Sequence, residues 1–352
     1  MAQIDVLLER ALASGASDLH LRTGAPPLLR VHGHLQPLPE ADNPDGYEAA
    51  LLAILTESQR QLFEARSDLD FAYEIPEVGR FRVNFLRQHK GVGAVFRLLP
   101  SRIRTLEELG LPQVVYSLVR LEQGLVLVTG PTGSGKSSTL AAIIDHINQE
   151  SDKHIVTIED PLEFIHPSKK SLVTQREVGA HTMSFAAALR AVLREDPDII
   201  LLGELRDLET ISLAITAAET GHLVFGTLHT RTAASTVDRL IDVFPSDQQT
   251  QIRTMLAETL KGVIAQQLLV RVDGQGRVIA VEILVGTTAL ANVIREGKTY
   301  QIPSLIQTGR REGMQTMDQA ILELLRSKQI TPQEAYRKAI DKETYQQHLE
   351  RL

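Results

Sequence analysis

The chain has 352 residues, enough for about two domains, with 37 Lys and Arg against 44 Asp and Glu, a net charge of −7 and 43% hydrophobic residues. It contains no cysteine, which excludes a disulfide framework, a thiolate zinc site, an iron–sulfur cluster and a cysteine nucleophile. Net acidity argues against nucleic acid as the main partner. No apolar run approaches the roughly 20 residues of a membrane span, and Met1–Arg10 lacks a signal-peptide core, so a cytoplasmic protein is expected.

Ile4, Leu7, Leu8 and Leu12 recur at helical spacing up to the stop at Ser14-Gly15. A second helical pattern covers Tyr47 to Phe63. Alternation of period two then takes over: Phe71, Tyr73 and Ile75, followed by Phe81, Val83 and Phe85 between Arg80, Arg82 and Asn84. A turn at Gln88–Gly91 leads into Val92–Leu98, giving a hairpin with one apolar face and one face carrying arginines. Arg82 and Arg97 on that hairpin have two readings. A solvated sheet face is favoured by the residues alone; a guanidinium fork on phosphate oxygens becomes the alternative if this domain covers a nucleotide site. Pro100–Pro112, with two prolines and little apolar surface, reads as a linker. The expected division is therefore 1–99, a linker over 100–113, and a second domain over 114–352.

Beyond Val114 the pattern becomes strand, turn, helix, repeated. The strand-like runs Leu125–Val128, His154–Ile158, Ile199–Leu202 and His222–Leu228 alternate with helical stretches such as Ser137–Asn148 and Phe185–Glu195. Such alternation implies right-handed crossovers and a mostly parallel sheet covered on both faces, an α/β domain. From about residue 287 only helical patterns remain, among them Met317, Ile321, Leu324 and Leu325, and the capped start Thr331-Pro332-Gln333-Glu334.

Between the first of these strands and its helix lies Gly130-Pro131-Thr132-Gly133-Ser134-Gly135-Lys136-Ser137, a complete P-loop pattern in the context it requires. Glycines let the main chain curl so that amide N–H groups point at phosphate oxygens, and the following helix, with Ser138 in its first turn, adds its N-terminal dipole. Lys136 supplies a point charge for the terminal phosphates, and the Ser137 hydroxyl is placed to ligate Mg²⁺. Ile199–Leu202 followed by Gly203-Glu204 has the Walker-B form: a buried strand delivers a carboxylate to the phosphate edge of the sheet, where Glu204 serves the Mg²⁺ shell through water. Glu159, Asp160 and Glu163 follow another strand, and the residues alone leave them evenly balanced between a water-activating cluster and a capped turn. Of the two histidines around His222–Leu228, His229 with Thr227 beside it could meet the γ-phosphate or its water, while His222 reads as structural. A zinc reading fits poorly because an extended strand separates them by over ~20 Å.

Taken together, these motifs resemble the type IV pilus retraction ATPases, the PilT family of the secretion/traffic ATPase superfamily, essentially end to end. The resemblance rests on Ala16-Ser17-Asp18-Leu19-His20-Leu21, the Walker A stretch, Ile158–Phe164 as the Asp box, Arg194–Glu204 as Walker B, and Ala218–His222 through His229-Thr230 as the His box. It implies an N-terminal PAS-like α+β domain, then a RecA-like P-loop NTPase domain with a C-terminal helical extension. It also implies Glu163 as general base, Glu204 as the Walker-B glutamate, His222 and His229 as nucleotide-responsive, and Arg82 and Arg97 as phosphate contacts. The family's members are hexameric rings that bind ATP and Mg²⁺ between the two domains of each subunit. They act peripherally at the inner membrane on a pilus platform protein, some alongside a paralogous retraction ATPase, and depolymerise pilin.

One departure stands out. The family's C-terminal signature has an arginine where this chain has Ala291, within Ala289–Glu296; that signature is tied to retraction rather than to hydrolysis. Leu290, Val293 and Ile294 there also sit at helical spacing, which fits a packing role. Pilus-assembly and type II secretion ATPases share the motifs but carry a four-cysteine zinc subdomain. An accessory retraction ATPase of the PilU kind is separated less cleanly. From a different class, a non-hydrolysing nucleotide-sensing adaptor would not need both Glu163 and Glu204, and no acceptor site points to a phosphotransferase.

Overall fold

Leucine and isoleucine spacing sets the first helix, α1 (Gln3–Ala13), whose Ile4, Leu7, Leu8 and Ala11 are buried. The structure is a computed structural model that describes residues 3–31, 33–38, 46–99 and 102–349. The chain divides into two units, Met1–Arg102 with Pro161–Ile165, and Ile103–Asp160 with His166–Leu352.

In the first unit α1 is followed by β1 (Asp18–Arg22), β2 (Ala25–Val31) and β3 (His34–Pro37), then α2 (Tyr47–Ala53), α3 (Glu57–Arg66), β4 (Asp68–Ile75), β5 (Gly79–Gln88) and β6 (Gly91–Leu99). The expected hairpin is β5–β6, but it belongs to a six-stranded antiparallel sheet in the order β3-β2-β1-β6-β5-β4. Its apolar face, with Leu19, Leu21, Phe81, Val83, Phe85 and Phe96, packs with the helices in one core. The single helix expected over Tyr47–Phe63 is two. Thr56 caps α3 in a reciprocal box with Gln59, so the first helix ends and a new one starts there.

The second unit begins with α4 (Val114–Val119), β7 (Gly124–Thr129), α5 (Lys136–Glu150), β8 (His154–Glu159), β9 (Leu172–Glu177), α6 (Phe185–Val192), β10 (Ile199–Leu202), α7 (Leu208–Glu219) and β11 (Leu223–Leu228). It continues through α8 (Ala233–Asp242), α9 (Gln249–Thr259), β12 (Leu260–Val270), β13 (Arg277–Val285), α10 (Thr288–Arg295), α11 (Ile302–Thr308), α12 (Met317–Arg326), α13 (Pro332–Lys338) and α14 (Lys342–Leu349). Its sheet runs β13-β12-β7-β11-β10-β8-β9, parallel throughout except for β12–β13. Both faces are covered, as expected. Leu125, Leu127, Ile200 and Leu202 enter one core with α6–α9; Val126, Val128, Ile199 and Leu201 enter another with α4 and α5. Pro100 and Ser101 of the expected linker lie outside the described residues. Leu106 and Leu111 of that segment are buried in the same core as α4, so it carries more apolar surface than its composition suggested.

Candidate functional site

Strand β7, buried at all six residues, feeds directly into the glycine-rich loop. At Gly130, φ is +142°, and a Cβ would lie 2.4 Å from the Gln266 carbonyl oxygen and 2.6 Å from Ser134 Oγ, so only glycine fits. Gly135, the N-cap of α5, has φ of +91° and leaves the helix start without a side-chain cap. Among the described residues, the N–H groups of Thr132, Gly133 and Gly135 make no hydrogen bond, and Ser134 Oγ is buried without a partner. With the N-terminal dipole of α5 behind them, these are the donors that a chain of phosphates needs. Ser137 and Ser138 sit half-buried in that turn.

Strands β7, β11, β10 and β8 are neighbours, so their carboxyl ends place the loop, His229, Glu204 and Glu159 along one edge of the sheet. Lys136 Nζ donates to the carbonyls of Gly130 (2.9 Å) and Pro131 (3.4 Å) and lies 3.4 Å from His229 Nδ1. The other ring nitrogen, Nε2, is 3.1 Å from Glu204 Oε1. Glu204 Oε2 in turn takes Arg206 Nη2 at 2.7 Å. Burial would raise the Glu204 carboxyl, but the hydrogen bond and charge of Arg206, with the hydrogen bond of His229, hold it below the ordinary carboxylate range. The pair stays in register because Leu205 N–H donates to the Thr227 carbonyl, and Thr227 Oγ1 donates to the Gly203 carbonyl.

At the end of β8, Glu159 Oε1 accepts from Thr157 Oγ1 at 2.8 Å and Gln175 Nε2 at 3.4 Å. Glu163 is half-buried in the segment Pro161–Ile165, which packs with the first unit, where Arg80 Nη1 donates to the Leu162 carbonyl at 3.1 Å. Also in that unit, Arg82 and Arg97 face each other directly across β5 and β6. Arg97 Nε donates to Asp18 Oδ1 at 2.8 Å, and Arg82 Nε is 3.9 Å from Asp70 Oδ1. His222 sits elsewhere. Its Nδ1 is 3.0 Å from the carbonyl of Ala217 in the last turn of α7, and its own carbonyl accepts from Gly124 N–H at the start of β7. A six-residue strand, roughly 20 Å long, therefore separates it from the loop that follows β7, and the structure does not bring His222 to that loop in its own chain.

Three contributors were not read from the sequence. Gln266 on β12, fully buried, donates through Nε2 to the Ser134 carbonyl at 2.7 Å and so underpins the loop. Two adjacent glutamines, Gln266 and Gln267, inside the otherwise apolar run Val263–Leu269 were its only sign. Arg206 clamps Glu204, and Gln175 links Glu159 to His166 N–H.

The sequence profile of the type II/IV secretion system proteins matches residues 1–351. The chain is 52% identical to the type IV pilus retraction ATPase PilT of Pseudomonas aeruginosa over 96% of its own length and 98% of that protein's. It is 40% identical to the type IV pilus ATPase PilU of the same organism over 95% of this chain and 87% of that one. A crystal structure described as the pilus retraction motor PilT with bound ADP superposes with a TM-score of 0.90 at 45% identity, each chain being covered in full. With a profile spanning almost every residue and a fold matched end to end, this chain belongs to the type II/IV secretion system protein family.

Proposed function

We propose that this chain is an ATP-hydrolysing motor that powers type IV pilus retraction. The observation that carries the reading is the line Lys136–His229–Glu204 on the loop edge of the sheet, where a phosphate cradle meets an ionised carboxylate. The chain's higher identity to the retraction ATPase than to PilU favours retraction over an accessory role.

In this reading the amides of Thr132–Ser137 and the Lys136 ammonium hold the β- and γ-phosphates. Ser137 and Glu204 fit a Mg²⁺ that is carried mainly by phosphate oxygens and water, since such ions take only one or two protein groups. The ion would supply neutralisation of charge developing on the transferring phosphoryl group. Glu163 accepts the proton of the attacking water, His229 reports the γ-phosphate to Glu204, and Arg82 and Arg97 stabilise equatorial phosphoryl oxygens. Residues 1–99 and 114–352 are the two working domains, joined by 100–113. The assembly is a homo-hexamer in the cytoplasm that docks peripherally on an inner-membrane platform protein. Consistent with docking rather than insertion, no helix among the described residues is long and apolar enough to cross a membrane.

A strain lacking this chain tests the reading. Surplus surface pili without twitching movement is the expected phenotype; bald cells would contradict it and assign the chain to pilus assembly.

A further inference from the structure

We propose that Asp18 is a positioning residue that sets the Arg97 guanidinium for contact with phosphate; this rests on the reading that Arg97 touches the nucleotide. Four side chains form a row across the solvent face of the first unit's sheet. Register places Arg30 on β2 opposite Asp18 on β1, Asp18 opposite Arg97 on β6, and Arg97 opposite Arg82 on β5. The alternate residues Leu19, Val83 and Phe96 point into the core, so the row lies wholly on the other face.

Asp18 is only 5% exposed. A carboxylate sunk that far costs stability unless every oxygen is paired, and here both are. Oδ1 accepts from Arg97 Nε at 2.8 Å, Oδ2 accepts from Ser17 Oγ at 2.7 Å, and Arg30 Nε stands 4.0 Å from Oδ2. Despite its burial, Asp18 is held below the ordinary carboxylate range by the Ser17 hydroxyl and by Arg97.

The manner of the grip gives it meaning. Arg97 is held through Nε alone, its side chain is 63% exposed, and its two terminal nitrogens make no hydrogen bond to any described residue. A guanidinium fixed along its Nε edge presents those two nitrogens as a fork, the geometry that phosphate oxygens accept. Two guanidinium groups directly across a sheet repel each other. Arg82 leans on Asp70 and Arg97 on Asp18, so each is drawn toward its own carboxylate and away from the other. Asp18 thus removes side-chain freedom from Arg97 before substrate arrives, which is the benefit of preorganisation.

The test is a double-mutant cycle on the full chain with Asp18→Asn, Arg97→Ala and the double variant, measuring kcat and KM for ATP, ADP affinity and thermal midpoint. Asp18→Asn is expected to lower kcat about tenfold with KM within about twofold, the pattern of a lost transition-state contact. In the Arg97→Ala background the same substitution is expected to do nothing further, because Asp18 acts through Arg97. Ser17→Ala, at an exposed position, loosens the carboxylate without burying anything new and is expected to lower kcat about threefold. That variant decides the matter should Asp18→Asn not fold. Equal losses from Asp18→Asn in both backgrounds, or a lowered midpoint with unchanged kcat, overturn the positioning role while leaving Arg97 as a phosphate contact. An unchanged kcat in Arg97→Ala overturns both.

Discussion

His229 Nε2 lies 3.1 Å from Glu204 Oε1, while Nδ1 of the same ring lies 3.4 Å from Lys136 Nζ. An ammonium can only donate, so Nδ1 accepts in that contact, and Nε2 is assigned as the nitrogen that donates to the carboxylate. One side chain therefore joins Lys136, the proposed phosphate contact, to Glu204, the proposed metal and water contact.

Replacing His229 with alanine breaks that join while leaving the Lys136 contacts to the Gly130 and Pro131 carbonyls in place. Turnover should fall about ten- to a hundredfold, with ATP affinity changed far less, because positioning rather than binding is lost. Steady-state hydrolysis alongside equilibrium titration with a fluorescent nucleotide separates the two.

Gly130→Ala should abolish nucleotide binding. The added Cβ meets the Gln266 carbonyl at 2.4 Å, at a φ of +142° that side chains avoid. Gly133→Ala meets nothing within 4 Å and carries only the strain of its φ of +78°, about 1 kcal/mol. Isothermal titration of both variants with ADP should show the first silent and the second weakened.

Gln266→Leu leaves the Ser134 carbonyl without its partner and should cost about 1–3 kcal/mol of stability. It should also weaken nucleotide affinity, although Gln266 is an extension of neither motif. Thermal unfolding with and without ADP measures both effects.

Glu204 also makes a prediction in pH. Its folded carboxyl is depressed, so its pairing stabilises the protein above the unfolded value of about 4.3, and this is lost as pH falls through the folded one. The midpoint of Glu204→Gln should therefore lie below that of the parent at pH 7, and the gap should narrow as pH falls below the unfolded value and close once it is below the folded one. A gap independent of pH would show that the loss is one of packing.

The parts of this architecture that could be read from the sequence are those whose cause is local. Glycine spacing in the loop, the four apolar residues Ile199–Leu202 and the arginines alternating along β5 each carry their signal within a few residues. Thr56 and Gln59 also had a local signal, the capping box that divides α2 from α3, and it was overlooked. Strand β2 was hidden for a different reason. Pro26 and Pro27 argue against a strand, yet they fall where the β1–β2 ladder shifts register, so the missing N–H donors are not needed. Gln266 and Asp18 act through partners 132 and 79 positions away, distances over which residue pattern says nothing. His222 is the reverse case: the motif groups it with His229, while within its own chain the strand places it at the opposite edge of the sheet, in keeping with the structural reading of the residue alone.

Ala291 on α10 packs against the core beside the buried Leu290, Val293 and Ile294. The packing role expected of that helix is present, and the residue that departs from the family's signature is half-buried. Ala291→Arg should leave ATP turnover within about twofold, since α10 contributes no side chain to the loop edge of the sheet. Any change should appear in pilus retraction speed, observed by microscopy.

The most direct test of the motor is phosphate release by the purified chain with Mg²⁺ and ATP, compared with Glu204→Gln under identical assembly conditions. The parent should release phosphate continuously, while the variant binds ATP with similar affinity and turns over at least a hundredfold more slowly. No release by the parent in any assembly state, or equal release by both, would contradict the account.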